Sequence, residues 1–171
     1  YFGLTLVYSF YLKRLVLLDV LVLAILYTLR IIAGAAAASV MPSFWLVAFS
    51  MFIFTSLAMA KRYAELKALE QHSTSWASGR GYHVSDINIV SQLGSASGFI
   101  STLVFALYID TPDMMAIYSN QQIMWLLCPL LMYWIARIWL IASRGHLHQD
   151  PVVFAARDRV SYAVFGLSLL I

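Results

Sequence analysis

Charged residues are scarce in this chain. Of its 171 residues, 11% are Asp, Glu, Lys or Arg, whereas 62% are hydrophobic. A soluble domain carries about 25% charged residues, so a globule solvated by water on all sides is excluded. Lipid must solvate most of the surface, and lipid requires backbone groups to be paired within helices or closed barrels. We therefore predict an all-α, polytopic transmembrane helical bundle.

Cysteine is almost absent as well. The single cysteine, Cys128, lies in an apolar run, so an intramolecular disulfide is excluded. A signal peptide would show a basic start, an apolar core and a cleavage site, and the sequence does not show this pattern. The net charge of +3 is small, and in a membrane protein the placement of charge carries more information than its sum.

Long apolar segments are what the chain has in abundance. Glycines and hydroxyl residues between Ser73 and Gly81 end the third segment, and Pro129 predicts a kink in the fifth. The predicted helical segments are 1–12, 15–41, 44–60 with a helical continuation to 69, 87–109, 120–143, and one from Phe154 onward.

The first and last segments are short. Each holds only about 12 apolar residues, and the chain opens on Tyr1, whereas a transmembrane helix needs roughly 20 residues. We therefore expect residues 1–171 to form a single transmembrane domain that is the C-terminal part of a larger protein.

Basic residues collect around alternate connections between the segments. The two intervening turns, near Pro42 and Pro112, contain no lysine or arginine. Because positive charge is retained on the cytoplasmic side, we predict that the basic connections face the cytoplasm from the inner membrane. The three basic groups are Lys13 and Arg14; Lys61, Arg62, Lys67 and Arg80; and Arg137, Arg144, Arg157 and Arg159.

Small residues recur three and four positions apart in two places. One is Gly34 with the alanines 35–38, and the other runs from Gly94 to Gly98. In a bilayer such faces allow helices to approach closely, so we interpret both as packing surfaces.

The longest polar stretch, Lys61–Asp86, contains the main candidate site. Lys61 and Glu65 lie one helical turn apart, with Arg62 beside them and Tyr63 pointing elsewhere. Lysine and arginine near a helix end also anchor it to anionic headgroups. For Lys61 and Glu65, which directly follow the apolar run SLAMA, we favour a functional role.

Arg30 is a cation inside an apolar segment. It lies roughly 16 Å along the helix from Asp19. At that depth a cation costs at least about 2.5 kcal/mol unless it faces a partner or a wet cavity. A buried pair with a carboxylate and a substrate cavity both place Arg30 in the bundle interior, and we favour the cavity.

We interpret most of the other polar residues as structural. Asp158 can orient a neighbouring arginine or complement a helix N-terminus. Arg137 lies closer to its helix end than Arg30, and snorkelling explains it almost as well as a place in the interior. His146 and His148 lack a third ligand nearby, so a solvated loop is favoured over a metal site. Asp86, with Asn88, is interpreted as a helix cap.

Several stretches together resemble one family. YSFYLKR, LYTLRIIAG, KRYAEL, GRGYHVSD and DPVVFAARDRVSY are similar to the C-terminal part of UbiA-type intramembrane prenyltransferases, most of all the decaprenyl-phosphate phosphoribosyltransferase-like branch. The resemblance implies nine helices around a cavity open to the cytoplasm, of which this chain supplies the end of the fourth and the fifth to ninth. It also implies two aspartate-rich motifs that hold a diphosphate through Mg²⁺. The first, NDxxDxxxD, would lie upstream of this chain.

The second motif departs from the family pattern. It falls at Lys61–Glu65, where Glu65 is the only carboxylate. Carboxylates hold Mg²⁺, whereas lysine and arginine contact phosphate directly. We therefore expect Arg30, Lys61 and Arg62 to contact phosphate, and Glu65 to orient Lys61 or touch the metal. Tyr63 and Arg80 are secondary candidates.

The resemblance predicts a transferase that uses Mg²⁺, a polyprenyl phosphate or diphosphate lipid, and a diphosphate-containing donor. The transferred group would be prenyl or phosphoribosyl, nucleic acid is not an expected partner, and this chain alone would be inactive if the first aspartate motif is needed. Two alternatives stay open. One is prenyl transfer to an aromatic acceptor, as in quinone biosynthesis, and the other is a non-catalytic transporter or scaffold.

Overall fold

The computed structural model describes residues 2–71, 81–111 and 121–145, together with Pro151, Val153, Asp158, Ser161, Tyr162, Val164 and Gly166. The elements of the described chain are helices. They are α1 (Phe2–Phe10), α2 (Leu18–Ala37), α3 (Phe44–Gln71), α4 (Ile87–Ile109), α5 (Gln121–Met124) and α6 (Leu127–Ser143), with 3-10 turns at Leu12–Arg14 and Val84–Asp86.

Three of the described stretches are long and apolar enough to cross a membrane. These are Leu18–Ala37, Phe44–Glu70 and Val84–Ile109. A helix of 20 residues extends about 30 Å, which matches the hydrocarbon thickness of a bilayer. The predicted class, an all-helical membrane bundle, is confirmed.

Helix α2 is shorter than predicted at both ends, because backbone turns end it inside the apolar run. Leu17, directly before the helix, has a positive φ of 67°. At the other end Ser39 has a φ of 56°, and the Val40 N–H donates to the Ala35 carbonyl at 2.9 Å. This is the Schellman pattern that closes a helix, with serine in the position usually taken by glycine.

Helix α3 continues through the polar residues that follow its apolar run, as predicted. Its 28 residues contain neither glycine nor proline. Its start is capped by Ser43, whose Oγ accepts the Leu46 N–H at 3.1 Å. A helix of this length extends about 42 Å, well beyond the roughly 30 Å hydrocarbon layer. The last turns of α3 therefore lie at one end of the bundle.

The fifth predicted segment is broken rather than kinked. A turn at Trp125 and Leu126 separates α5 from α6, and Pro129 falls in the first turn of α6. The missing N–H of proline costs nothing there, but its ring would clash with the carbonyl four residues earlier, which is that of Trp125. A new helix, α6, therefore begins at Leu127, after the turn that contains Trp125.

Helix α3 lies at the centre of the described bundle and packs against α2, α4 and α6. One buried cluster joins α3 to α6 through Ile53, Leu57, Ala60, Trp134, Ile135 and Ile138. A second joins α3 to the starts of α2 and α4 through Val20, Ala58, Met59, Leu66, Tyr82 and Val90.

The small residues of α4 allow the closest helix contacts. A Cβ added at Gly94 would lie 2.3 Å from the Trp139 ring and 2.6 Å from the Met59 Cβ. The predicted packing role is confirmed for this helix. At Gly34 an added Cβ would meet nothing within 4 Å among the described residues, so the other predicted surface is not packed against them.

Replacing Gly94 by alanine tests this packing. We expect G94A to lower the free energy of unfolding by about 1–3 kcal/mol, because the Met59 Cβ is attached to the backbone and cannot move away. G34A is the matched control and should be neutral or stabilising, since alanine favours helix and meets no neighbour there. Thermal unfolding in detergent, followed by circular dichroism, measures both. Equal stability of the two variants would contradict the packing.

Candidate functional site

A buried ion pair joins α2 to α3 at the charged end of the bundle. The Arg62 Nε lies 2.8 Å from Asp19 Oδ2, and the two side chains are 2% and 0% exposed. Asp19 is placed by the first turn of α2, and Arg62 by the turns of α3 that follow its apolar run. The Arg62 Nη1 also donates to Glu65 Oε2, one turn further along α3. Arg62 is thus held between two carboxylates.

Tyr82, from the segment before α4, completes this set of contacts. Its hydroxyl donates to Asp19 Oδ1 at 2.8 Å and accepts the Leu17 N–H at 2.9 Å. Burial raises the pKa of Tyr82, so the phenol stays protonated and able to donate. We call Asp19, Arg62, Glu65, Tyr82 and the Leu17 N–H the Asp19 network.

The backbone around Leu17 is shaped to receive Tyr82. The positive φ of Leu17 is costly for a residue with a side chain, and such conformations persist only where surrounding contacts enforce them. A Cβ at Gly81 would lie 2.9 Å from Val16 Cγ2 and 3.0 Å from the Arg14 carbonyl. Glycine at 81 therefore lets this segment sit directly on the connection between α1 and α2.

Lys61 lies beside the network and is partly exposed. Tyr8 of α1 lies near both residues, within electrostatic reach of Arg62 and Lys61. Glu65 is 36% exposed and pairs with Arg62, so the prediction that it orients Lys61 stays a prediction. Lys61 and Glu65 form the accessible edge of an otherwise buried cluster.

The two secondary candidates, Tyr63 and Arg80, differ in whether the structure describes them. Tyr63 points about 100° away from Arg62 around α3 and packs edge-on against Trp139, with ring centroids 5.9 Å apart. Arg80 lies outside the described residues.

Arg30 is separate from the cluster. Its guanidinium lies over the Tyr27 ring, 5.1 Å from the centroid, and the residue is exposed. The described helices therefore do not bury Arg30, and its assignment to a substrate cavity in the bundle interior stays a prediction. Arg30 lines an open hollow of about 510 Å³ with Leu29, Ile32, Ala33 and Ala36. Along α2 it lies roughly 16 Å from Asp19, on nearly the same helical face.

A second network fixes Asp158 and confirms its structural interpretation. Two hydrogen bonds of 2.6 and 3.0 Å join the Arg137 guanidinium to the Asp158 carboxylate. The Ser161 N–H donates to Asp158 Oδ2 at 2.8 Å, as in a helix N-cap. Burial works against ionisation, but the bonds from Arg137 and Ser161 outweigh it, and the pKa of Asp158 is lowered. Arg137 is thus an ion-pair partner rather than a snorkelling residue.

The described residues hold no group of three His, Cys, Asp or Glu side chains arranged for a metal. His146 and His148 lie outside the described part. Asp86 accepts the His83 N–H at 2.9 Å and so caps the 3-10 turn before α4 rather than α4 itself. Glu65 is the one member of the Asp19 network whose carboxylate reaches the surface.

The sequence reasoning missed Asp19 and Tyr82 as site residues. Asp19 carried a usable signal, because a carboxylate in an apolar segment is as costly as the arginine at position 30 that was singled out. Tyr82 carried none, since only the folded chain brings its hydroxyl to Asp19 and Leu17.

Comparison with known proteins gives a coarse relationship. No protein-family model matches the chain. It is 39% identical over 170 residues to protein y4nM of Sinorhizobium fredii, an alignment that covers 98% of this chain and 33% of the relative. It is 32% identical over 170 residues to the nodulation protein NoeC of Azorhizobium caulinodans, covering 99% of this chain and 55% of the relative.

A more distant relative lies in the predicted branch. The chain is 25% identical over 167 residues to the decaprenyl-phosphate phosphoribosyltransferase of Mycolicibacterium smegmatis, covering 96% of this chain and 52% of that enzyme. The chain therefore spans from a third to about half the length of these three relatives. The predicted resemblance is supported as distant similarity to one transferase.

Removing the carboxylate of Asp19 tests the buried pair. We expect D19N to lower the free energy of unfolding by about 3–5 kcal/mol, because it leaves the Arg62 cation buried without its main counter-ion. E65Q, at the exposed partner of the same arginine, should cost less. The double variant D19L/R62M should recover part of the loss, since it removes both charges. Unfolding in mixed micelles measures all three, and a double variant that loses as much stability as D19N, or more, would contradict the pairing.

The Arg137–Asp158 pair predicts a pH dependence. Because the folded-state pKa of Asp158 is lowered, its contribution is present above the unfolded pKa of about 4 and is lost as pH falls through the folded-state pKa. We expect D158N to cost about 1.5–3 kcal/mol at pH 7 and progressively less below about pH 4.

The exposed pair Lys67–Glu70, 2.6 Å apart, provides the control. E70Q should change the stability by no more than about 1 kcal/mol. Thermal unfolding of both variants across the pH range is the measurement. A cost of D158N that does not change with pH would contradict the ion pair.

Proposed function

We propose that the chain forms part of an integral membrane transferase of the UbiA type. It would act on a polyprenyl lipid that carries a phosphate and on a diphosphate-containing donor, with release of diphosphate. The observation that carries this proposal is the meeting of ionisable side chains from α2, α3 and the segment before α4 at one end of an apolar bundle. The distant similarity to a phosphoribosyltransferase supports it.

Lys61 is the cation that we assign to the donor diphosphate. Arg62, although next to it, is 2% exposed and paired with Asp19 and Glu65, so it would have to leave two carboxylates to reach a ligand. Lys61 is partly exposed at the edge of the same cluster. An ammonium group binds phosphate as a compact charge with three rotatable donors. We therefore assign the main phosphate contact to Lys61 and not to Arg62.

Arg30 is assigned to the second reactant. It lies in a separate open hollow, roughly 16 Å along α2 from Asp19. The hollow is lined mostly by apolar side chains, which suits the lipid, and the guanidinium suits the phosphate that the lipid carries. The shared face of α2 would place the two reactants on the same side of that helix.

Magnesium remains part of the proposal. Mg²⁺ is usually held by one or two carboxylates together with substrate phosphates, and Glu65 supplies one partly exposed carboxylate beside Lys61. When bound, the ion would neutralise the charge of the departing diphosphate. Lys61 would stabilise the same charge directly, and the protein would supply positioning and electrostatics rather than a covalent intermediate.

The donor has two candidate chemistries, prenyl diphosphate and phosphoribosyl diphosphate. The distant relative favours the second, because it is a decaprenyl-phosphate phosphoribosyltransferase. Transfer of a prenyl group to an aromatic acceptor is the alternative. Incubating membranes that contain the protein with each donor, and measuring which one is consumed, separates them. We place the charged end of the bundle on the cytoplasmic side, where such soluble diphosphates occur.

Binding of the donor tests the assignment of Lys61. We expect K61A to weaken equilibrium binding of phosphoribosyl diphosphate or prenyl diphosphate by about ten- to a hundredfold, the effect of losing a charged hydrogen bond. K67A is the matched control, because it removes the same charge from the same helix at a residue paired with Glu70. It should bind like the unaltered protein.

Arg30 gives the complementary variant. R30A should weaken binding of a polyprenyl phosphate presented in nanodiscs and leave donor binding unchanged, whereas K61A should do the reverse. Equal effects of K61A and K67A on both donors would contradict the proposed site. Binding of neither donor by the unaltered protein would contradict the proposed function.

A further inference from the structure

The Asp19 network runs from a buried tyrosine to an accessible carboxylate. Tyr82 donates to Asp19, Asp19 pairs with Arg62, and Arg62 donates to Glu65. Tyr82, Asp19 and Arg62 are 1%, 0% and 2% exposed, whereas the Glu65 side chain is 36% exposed. The first three groups are sealed from solvent, and only the last can meet a ligand.

Each contact in this series is restricted by the one before it. The Tyr82 hydroxyl has one hydrogen, which goes to Asp19, and it accepts the Leu17 N–H. Asp19 therefore faces Tyr82 with one oxygen and Arg62 with the other. The guanidinium is a rigid planar fork, so the close approach of its Nε to Asp19 Oδ2, at 2.8 Å, restricts the direction of its Nη1 donor. That donor holds the Glu65 carboxylate.

A purely stabilising role accounts poorly for this arrangement. A buried ion pair is weak evidence for stability, because apolar residues of similar volume are often as stable or more so. A buried charge pair does restrict geometry, since each group has few alternative partners in a low-dielectric interior. The accessible end of the series lies one helical turn from Lys61, the residue assigned to the donor diphosphate.

We propose that Asp19 and Tyr82 are positioning residues that act through Arg62 to hold the Glu65 carboxylate at the site of a Mg²⁺-bound diphosphate. The inference rests on the proposed function and deepens it by assigning two buried residues to the same site. Asp19 and Tyr82 do not touch the ligand. Their effect on binding therefore depends entirely on Glu65.

The variant Y82F tests this inference without changing any charge. It removes one oxygen atom and with it the hydrogen bonds to Asp19 and Leu17. We expect Y82F to bind inorganic diphosphate in the presence of Mg²⁺ about three- to tenfold more weakly than the unaltered protein. Isothermal titration in detergent measures the affinity directly and needs no turnover. Y108F, at the opposite end of α4, is the control and should bind normally.

A double-variant cycle separates positioning from a general loss of structure. If Tyr82 acts through Glu65, then Y82F should cause no further loss of diphosphate affinity in an E65Q background. A disturbance of the fold would instead weaken binding by the same factor in both backgrounds. Each variant is measured at a temperature where thermal unfolding shows it to be fully folded.

The outcomes are distinguishable. Normal binding by Y82F, or an equal loss with and without Glu65, would overturn the positioning role while leaving the proposed function intact, provided that K61A still loses affinity. Absence of diphosphate binding by the unaltered protein would overturn the proposed function and this inference with it. A loss in Y82F that vanishes in E65Q would support both.

Discussion

The Asp19–Arg62 ion pair is the interaction on which the charged end of this bundle depends. Both side chains are almost fully buried, so neither charge can be solvated by water. In such surroundings an unpaired charge is far more costly than the pair is favourable, and the two helices that carry the charges must meet at that point. The pair therefore sets the register between the start of α2 and the last turns of α3.

The rest of the charged end follows from that register. Beside Asp19, Tyr82 accepts the N–H of Leu17, a residue with positive φ, and Gly81 allows the backbone to approach Val16 and Arg14. Gly94 and Gly98 let α4 approach both α3 and α6 closely. Polar contacts at Arg62 and close packing at these glycines therefore together hold α3 in the bundle.

Sequence reasoning recovered the parts of the fold that local chemistry determines. The bounds of α4 follow from its apolar run, and α3 continues through KRYAEL because nothing in it breaks a helix. The limits of α2 could not be predicted, since Leu17 and Ser39 adopt conformations that their residue types disfavour. Asp19 was identifiable from the cost of a charge in lipid, whereas the exposure of Arg30 depends on which helices cover it. Such coverage is a property of the assembled bundle.

Lys61 and Arg62 show how two neighbouring cations come to differ. Successive residues of a helix point about 100° apart, so only one of them can face Asp19. Arginine suits that position because its fork can satisfy two carboxylates at once, and Arg62 engages both Asp19 and Glu65. Lysine suits the exposed edge, where a compact charge on a flexible chain can follow a phosphate. Exchanging the two residue types would keep the net charge but would leave a buried ammonium facing two carboxylates that it cannot engage as a fork. The order Lys-Arg, and not merely two positive charges, is therefore what this end of the bundle requires.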